Sequence, residues 1–315
     1  MFDMQKDTKK APLANWDDLR VFLEVARGGT ASAAARRLGV DYTTVARRVR
    51  ALEEAMGALL FDRSRSNGFS LTQDGQQLVG YAEAMEGAMQ AASEAVSGTG
   101  GALSGHVRIG CTEAFGIHFV IPEMVAFQER YPNITIDVLP VPHFVNLSRR
   151  EADIAITLER PARGPYVCVK LCDYRLALYA TPDYLAARPV RCREDLREHR
   201  FINYVQDLAF SPRLLYLDEV VPGASSPLRS TSVLAQYQAA LQGRAMAILP
   251  CFMAAGDPRL TAVLPGELSV IRQFWMSYSE DLRRLRRVTS VAGHLIERAR
   301  ASEAFLLGDT TASTL

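Results

Sequence analysis

The sequence has no apolar run long enough to span a bilayer. Its most apolar stretch, MAILPCFMAA from Met246 to Ala255, is broken by Pro250, whereas a spanning helix needs about twenty residues. The start, MFDMQKDTKKAPLANWDDL, has lysines with no apolar segment behind them. That is not a secretory signal, and a cytoplasmic location with no membrane partner is expected. Cysteine is scarce: Cys111, Cys168, Cys172, Cys192 and Cys251 are an odd, scattered set in 315 residues. A disulfide framework is not expected, which fits a reducing compartment. Cys168 and Cys172 have no Cys/His partner pair at zinc spacing. They read as small apolar residues, with a redox-sensing pair as the other reading. Histidine is sparse as well, and there is no GxxxxGK[ST] loop and no nucleophile–base–orienter grouping. No enzyme, metal or cofactor is expected.

An excess of one charge is also missing, since the formal net charge is +1. Against that neutrality, AARRLGVDYTTVARRVRALE (Ala34 to Glu53) holds five arginines in twenty residues. The surrounding segment reads as helices. Trp16, Leu19, Phe22, Leu23 and Ala26 recur on one helical face, with Asn15 as N-cap and Asp17 and Asp18 in the first turn. Gly28-Gly29 stops that helix, Thr30 or Ser32 caps the next, and Gly39 ends it. A third helix starts at about Asp41, its cap, with Val45, Val49, Leu52 and Met56 as its seam. Two short helices joined at a glycine, the first rich in alanine, make a helix-turn-helix. Tyr42, Thr43, Thr44, Arg47, Arg48 and Arg50 then point away from the seam.

Phe61, Phe69 and Leu71 flank Arg63, Arg65 and an Asn67-Gly68 turn, the signal of a basic hairpin or wing. A long helix from about Thr72 to Ser97 follows. Its Leu78, Ala82, Met85, Met89, Ala92 and Val96 alternate by four and three, the seam of a two-stranded coiled coil, although burial against the same chain gives that spacing too. SGTGGALSG (Ser97 to Gly105) reads as a hinge. Beyond it, strands near Val107–Gly110, Ile134–Leu139, Asp153–Leu158, Leu176–Ala180, Phe201–Tyr204 and AMAILP alternate with helices near Thr112–Tyr131 and Ser232–Gln242. This texture predicts βαβ units and mostly parallel sheets, closed by an arginine-rich surface helix from about Ser279 to Phe305.

The order of these parts, with AAARRLGVDYTTVARRVRALEEAMGALLFDRS (Ala33 to Ser64), GFSLTQDGQ (Gly68 to Gln76), VRIGCTEAFG, FQERYPNITID, ADIAIT and GRAMAILP, resembles the LysR-type transcriptional regulators over about residues 15–305. The resemblance implies an all-α winged helix-turn-helix domain and long linker helix, followed by an α/β periplasmic-binding-protein-like effector domain of two subdomains. The expected boundaries are a disordered arm at 1–14 carrying Lys6, Lys9 and Lys10, a DNA-binding domain at 15–72, a linker at 73–97 and a hinge at 98–105. The effector domain would occupy 106–308, with subdomain I at about 106–180 and 277–308 and subdomain II at about 181–276. The resemblance further implies a dimer through the linker helix, commonly assembled into tetramers, with double-stranded DNA, a small-molecule effector and RNA polymerase as partners. Asp41 and Ala46 stand where many members have serine, and Tyr42 where glutamine is more usual, so base preference is not transferable.

Two sites follow. In the major groove, Tyr42, Thr43 and Thr44 are placed for base edges and Arg47 for guanine or phosphate. Arg50, Arg63 and Arg65 are placed for phosphates, and Arg36 and Arg37 for the backbone unless one of them pairs with Glu53 or Glu54. In the effector cleft, loops at strand ends offer Thr112, Glu113, His143, Thr157, Tyr204, Ser230, Thr231 and Ser232. Ser232 as an N-cap, Tyr204 as core and His143 as loop surface are the structural alternatives. A helix start at Thr112 favours an anion, with a carboxylate metabolite as the candidate class, but Glu113 would repel one or serve as the helix's own cap.

Overall fold

The computed structural model describes residues 15–62, 70–97, 103–141, 151–161 and 164–309. The chain divides into two compact units, Met1–Thr99 and Gly100–Leu315.

In the first unit, α1 (Trp16–Gly28) is capped by the Asn15 side chain, which accepts from the Asp17 amide at 3.1 Å. Thr30, rather than Ser32, caps α2 (Ala31–Leu38) through the Ala33 amide. Gly39 follows at φ 64°, a left-handed turn that any side chain would strain. It turns the chain into α3 (Tyr42–Met56). Phe22, Leu23 and Val25 of α1, Ala34 of α2, and Val45 and Val49 of α3 are fully excluded from solvent and form one core. Next, β1 (Phe61–Asp62) and β2 (Ser70–Leu71) pair antiparallel, Phe61 opposite Leu71 and Asp62 opposite Ser70. The turn between them, with Arg63 and Arg65, lies outside the described residues.

The linker helix α4 (Gln73–Ser97) does not keep its apolar positions as one free seam. Ala82 is fully buried in the core of the first unit, and Leu78 and Val79 pack against it. Tyr81, Met85 and Met89 stay exposed, as does Ala92, while the side chain of Val96 lies outside the described residues. Arg27 anchors the same helix from α1, donating to Glu86 at 2.8 Å and facing Glu83 at 3.6 Å. Burial disfavours its charge, but the Glu86 hydrogen bond and the charges of Glu86, Glu83 and Glu24 outweigh that and raise its pKa.

The second unit begins with β3 (Gly105–Thr112), which leads into a helical stretch made of α5 (Glu113–Phe115), a π-turn (Gly116–Val120) and α6 (Ile121–Arg130). A Cβ on Gly116 would lie 2.7 Å from both Cys111 Sγ and Pro140 Cβ, so only glycine permits this approach of helix to sheet. The chain continues through β4 (Ile134–Val141), β5 (Ile154–Thr157), β6 (Tyr166–Ala180), α7 (Pro182–Ala187), β7 (Arg200–Asn203), α8 (Tyr216–Val220) and β8 (Ser225–Arg229). It then forms α9 (Val233–Ala240), β9 (Met246–Pro250), α10 (Cys251–Ala254), β10 (Thr261–Ala262), β11 (Ser269–Ser279), α11 (Arg286–Ala301) and α12 (Glu303–Leu307).

The strands share one sheet in the order β4-β3-β5-β11-β6-β9-β7-β8, with β10 on β6. Parallel pairs flank both ends, β4/β3/β5 and β9/β7/β8, as βαβ texture predicts. The centre differs from the mostly parallel expectation, because β6 and β11 run antiparallel along their lengths, from Ala177 opposite Ser269 to Tyr166 opposite Ser279. The sequence pattern marks only the end of β6 as strand and does not mark β11. Lys170, Asp173 and Arg175 interrupt the apolar alternation of β6, and a register shift between Phe274 and Trp275 breaks that of β11. The terminal helix also differs from a surface helix: Val288, Val291, Ala292 and Leu295 are buried, and Arg287 Nε donates to the His106 carbonyl at 3.1 Å.

Candidate functional site

At the start of α3 the backbone makes the cap. The Asp41 carbonyl accepts from Thr44 and Val45 at 3.0 and 3.2 Å, but its carboxylate makes no cap hydrogen bond, contrary to the capping role expected of it. The acid is exposed at the helix tip beside Tyr42, which is 52% exposed, and the exposed Thr43; Thr44 is half-buried. One turn on, Arg47 and Arg50 are exposed, as is Arg36 on α2. These three make no ion pair among the described residues.

The neighbouring arginines are committed within the domain. Arg48 bonds Asp18 at 3.1 Å and faces Asp17 at 3.7 Å, tying α3 to α1. Arg37 pairs with Glu24 at 3.4 Å, not with Glu53 or Glu54. Glu53 turns inward instead, its Oε1 accepting from the Leu60 and Phe61 amides at 3.0 and 3.3 Å where the wing begins. The result is a polar and basic face of Tyr42, Thr43, Arg47, Arg50 and Arg36, held rigid by an apolar seam behind it.

In the second unit, a cavity of about 40 Å³ opens beside the junction of β3 and α5, with room for roughly three waters. Of the eight effector residues expected, the cavity is lined by Thr112, Glu113, Tyr204 and Thr231. Ser232 stands directly behind: its hydroxyl donates to Glu113 Oε2 at 2.7 Å and accepts the Ala235 amide at 3.1 Å as the cap of α9. Ser232 is thus the N-cap of its structural alternative, and it reaches the cavity only through Glu113. Glu113 does not cap α5, whose N-cap position is Thr112. Ser230 accepts the Ser232 amide at 3.1 Å and shapes the turn rather than the cavity. Thr157 is buried and donates to the Glu159 carbonyl at 2.7 Å, so its hydroxyl is spent locally and it does not line the cavity. His143 lies outside the described residues.

Most of the wall was not anticipated. Tyr174 comes from β6, Tyr216 from α8, Phe252 from α10, Phe274 from β11, and Phe210 from the chain between β7 and α8. Tyr174 and Phe274 stack with centroids 4.3 Å apart, and Tyr204 meets Tyr216 edge-on at 5.9 Å. Burial pushes the hydroxyls of Tyr174, Tyr204 and Tyr216 above the ordinary phenol range, and the charge of Glu113 adds to the shift at Tyr204. The three hydroxyls are therefore neutral. No lysine, arginine or histidine is among the described lining residues. In the described part of that wall a carboxylate metabolite would meet the like charge of Glu113 at the helix start.

The cysteines are all free. Cys168 and Cys172 lie four residues apart on β6, on the order of 13 Å along a strand, whereas a disulfide needs Cα atoms within about 7 Å. Burial pushes the Cys172 thiol up to about 12 and raises Cys168 against the pull of Arg160. A redox pair is not what this geometry provides. No group of His, Cys, Asp and Glu among the described residues is arranged to hold a metal ion. No helix among the described residues is long and apolar enough to cross a membrane.

A basic helix-turn-helix joined in one chain to an α/β domain with a small, partly open cavity defines the class of ligand-responsive DNA-binding regulators. Residues 16–76 match the bacterial regulatory helix-turn-helix protein of the lysR family, and residues 100–300 match the LysR substrate binding domain. The chain belongs to the LysR family of bacterial transcriptional regulators. It is 28% identical over 260 residues, 80% of this chain and 82% of the relative, to the HTH-type transcriptional regulator PtxR of Pseudomonas aeruginosa. It is 28% identical over 296 residues, 92% of this chain and 99% of the relative, to the Mau operon transcriptional activator of Paracoccus denitrificans. Among solved structures it is similar to the LysR-type regulator CrgA of Neisseria meningitidis, with a TM-score of 0.57, 25% identity, and 90% of this chain and 99% of that one covered. A full-length OxyR variant from Pseudomonas aeruginosa shares the fold, with a TM-score of 0.68 at 17% identity over 91% of this chain and 98% of that one.

Proposed function

We propose that this regulator reads operator DNA with Tyr42, Thr43, Thr44 and Arg47, and grips phosphates with Arg36, Arg50 and the wing residues Arg63 and Arg65. The observation that carries the assignment is the contrast on α3: Arg47 and Arg50 are exposed without an ion pair among the described residues, while Arg48 is engaged by Asp18. An unpaired guanidinium one turn into a recognition helix is free to meet guanine or phosphate. Arg37, engaged by Glu24, contributes chiefly to the packing of α2 on α1.

The regulator acts in the cytoplasm as a dimer through the exposed part of α4, with tetramers as the larger assembly and RNA polymerase as the partner its DNA complex addresses. Tyr81, Met85 and Met89 support the dimer seam, since large apolar side chains on a helix surface gain from a second copy. A small effector enters the cavity at Glu113, and the hinge at 98–105 carries the change to the DNA heads as a population shift. The cavity lies among subdomain I residues on β3 and α5 and subdomain II residues just after β7 and on α9. That supports subdomains divided where the chain crosses at β6 and β11. Genome-wide mapping of bound sites, followed by affinity measurement on the recovered sequence, tests the reading. Enrichment of one sequence motif is expected, and uniform binding to unrelated DNA would refute it.

A further inference from the structure

We infer that the effector cavity takes a small organic cation, an alkylammonium ion, rather than an anion; this deepens the effector reading above and rests on it. The lining carries one carboxylate, Glu113, and six aromatic rings, with no basic side chain among its described residues. Rings and a carboxylate together are the surroundings that hold ammonium ions; Phe274 packs against Tyr174 and Phe115 at 4.3 and 4.1 Å, so Glu113 carries the main attraction and the rings supply an apolar, polarisable wall. The interior volume of about 40 Å³ suits a guest group of a few heavy atoms.

The acid is also positioned to receive such a guest. Its Oε2 takes the Ser232 hydroxyl, and no hydrogen bond falls on Oε1 among the described residues. The Ser232 bond links the start of α5 to the start of α9, so Glu113 already spans the cavity wall. An ammonium group on Oε1 would add its charge to that link without displacing it. Arg272 is not a lining residue and is paired with Glu219, but its charge still reaches the hydroxyls of Tyr174 and Tyr216, whereas Glu113 acts on Tyr204, so a cation is drawn to the Glu113 and Tyr204 end of the cavity.

Calorimetric titration of the full chain with ethylammonium chloride tests this, with sodium acetate and sodium chloride as size- and salt-matched controls. Ethylammonium is expected to bind and acetate not to. Glu113→Gln, which keeps an acceptor for Ser232, is expected to weaken binding by about tenfold or more. Acetate binding in preference to ethylammonium, equal ethylammonium affinity in Glu113→Gln, or no binding of either ion would each overturn the inference. DNA binding measured on the same preparations is a separate readout: its loss would refute the regulator reading while leaving the ion result to stand by itself.

Discussion

Arg47 and Arg37 lie ten positions apart in the same arginine cluster, yet they do different work. Arg47 has no ion pair among the described residues, while Arg37 is held by Glu24. Arg47→Ala should lower operator affinity by roughly 1–3 kcal/mol if its contact is a bidentate base contact, and relax specificity at one position; fluorescence anisotropy on matched and mutated operators measures both. Arg37→Ala should instead change folding stability by only about 0–1 kcal/mol, because its ion pair is half exposed. Asp41 offers a sharper contrast with its relatives. Since its carboxylate caps nothing, Asp41→Ala should leave the melting temperature nearly unchanged while raising affinity for any DNA, through loss of repulsion between an acid and phosphates. A clear drop in melting temperature would restore the capping role. The candidate arginines were legible because face and spacing fix exposure on a helix; which of them are already paired was not, since Glu24 and Asp18 reach them from another helix.

At the scale of elements, α4 shows how one sequence pattern serves two surfaces. Its repeat of four and three was visible, but its near half is spent on the core of the DNA-binding unit, with Ala82 buried there. Only the exposed part can pair copies. Met85→Glu with Met89→Glu should therefore shift the protein toward monomer in sedimentation analysis without unfolding the DNA-binding unit, whereas Ala82→Glu should unfold it. In the second unit, Gly116→Ala should destabilise by about 1–3 kcal/mol, since the added methyl meets Cys111 and Pro140 at 2.7 Å. The π-turn that this glycine opens also holds His118, whose pKa burial lowers. The unfolded chain protonates at about 6.5 before the folded one does, so this contribution is complete above that pH. It is lost progressively as pH falls from there toward the depressed folded value. Thermal melts of the full chain between neutral and mildly acid pH should show this decline, reduced in His118→Gln.

For the whole molecule, a net charge of +1 hides a strongly local distribution. Operator affinity should fall steeply with salt, and Arg50→Ala, which removes a proposed phosphate contact, should reduce the log–log slope by about one. Effector and DNA should also be linked: a ligand that shifts operator affinity must have its own affinity shifted by the same factor when operator is present. Titrations in both orders check this. The two-unit division and the order of parts were legible because glycine-rich composition and the change from helical to βαβ texture are properties of the chain itself.

What the sequence determined by itself was therefore whatever is local along the chain. The Asn15 and Thr30 caps, the Gly39 turn, the exposed face of α3 and the Glu113 helix start all follow from neighbours within a few residues. Only the tertiary structure decided the partners. The antiparallel β6/β11 pair brings Tyr174 and Phe274 together from positions a hundred residues apart. Ser232 meets Glu113 across 119 residues for the same reason. A strand's register and a cavity's wall are set by which distant segments pack together, and that contact has no periodic signature in one sequence. The character of the cavity beside Glu113 was consequently closed to sequence reading until the described rings and that carboxylate stood around one space.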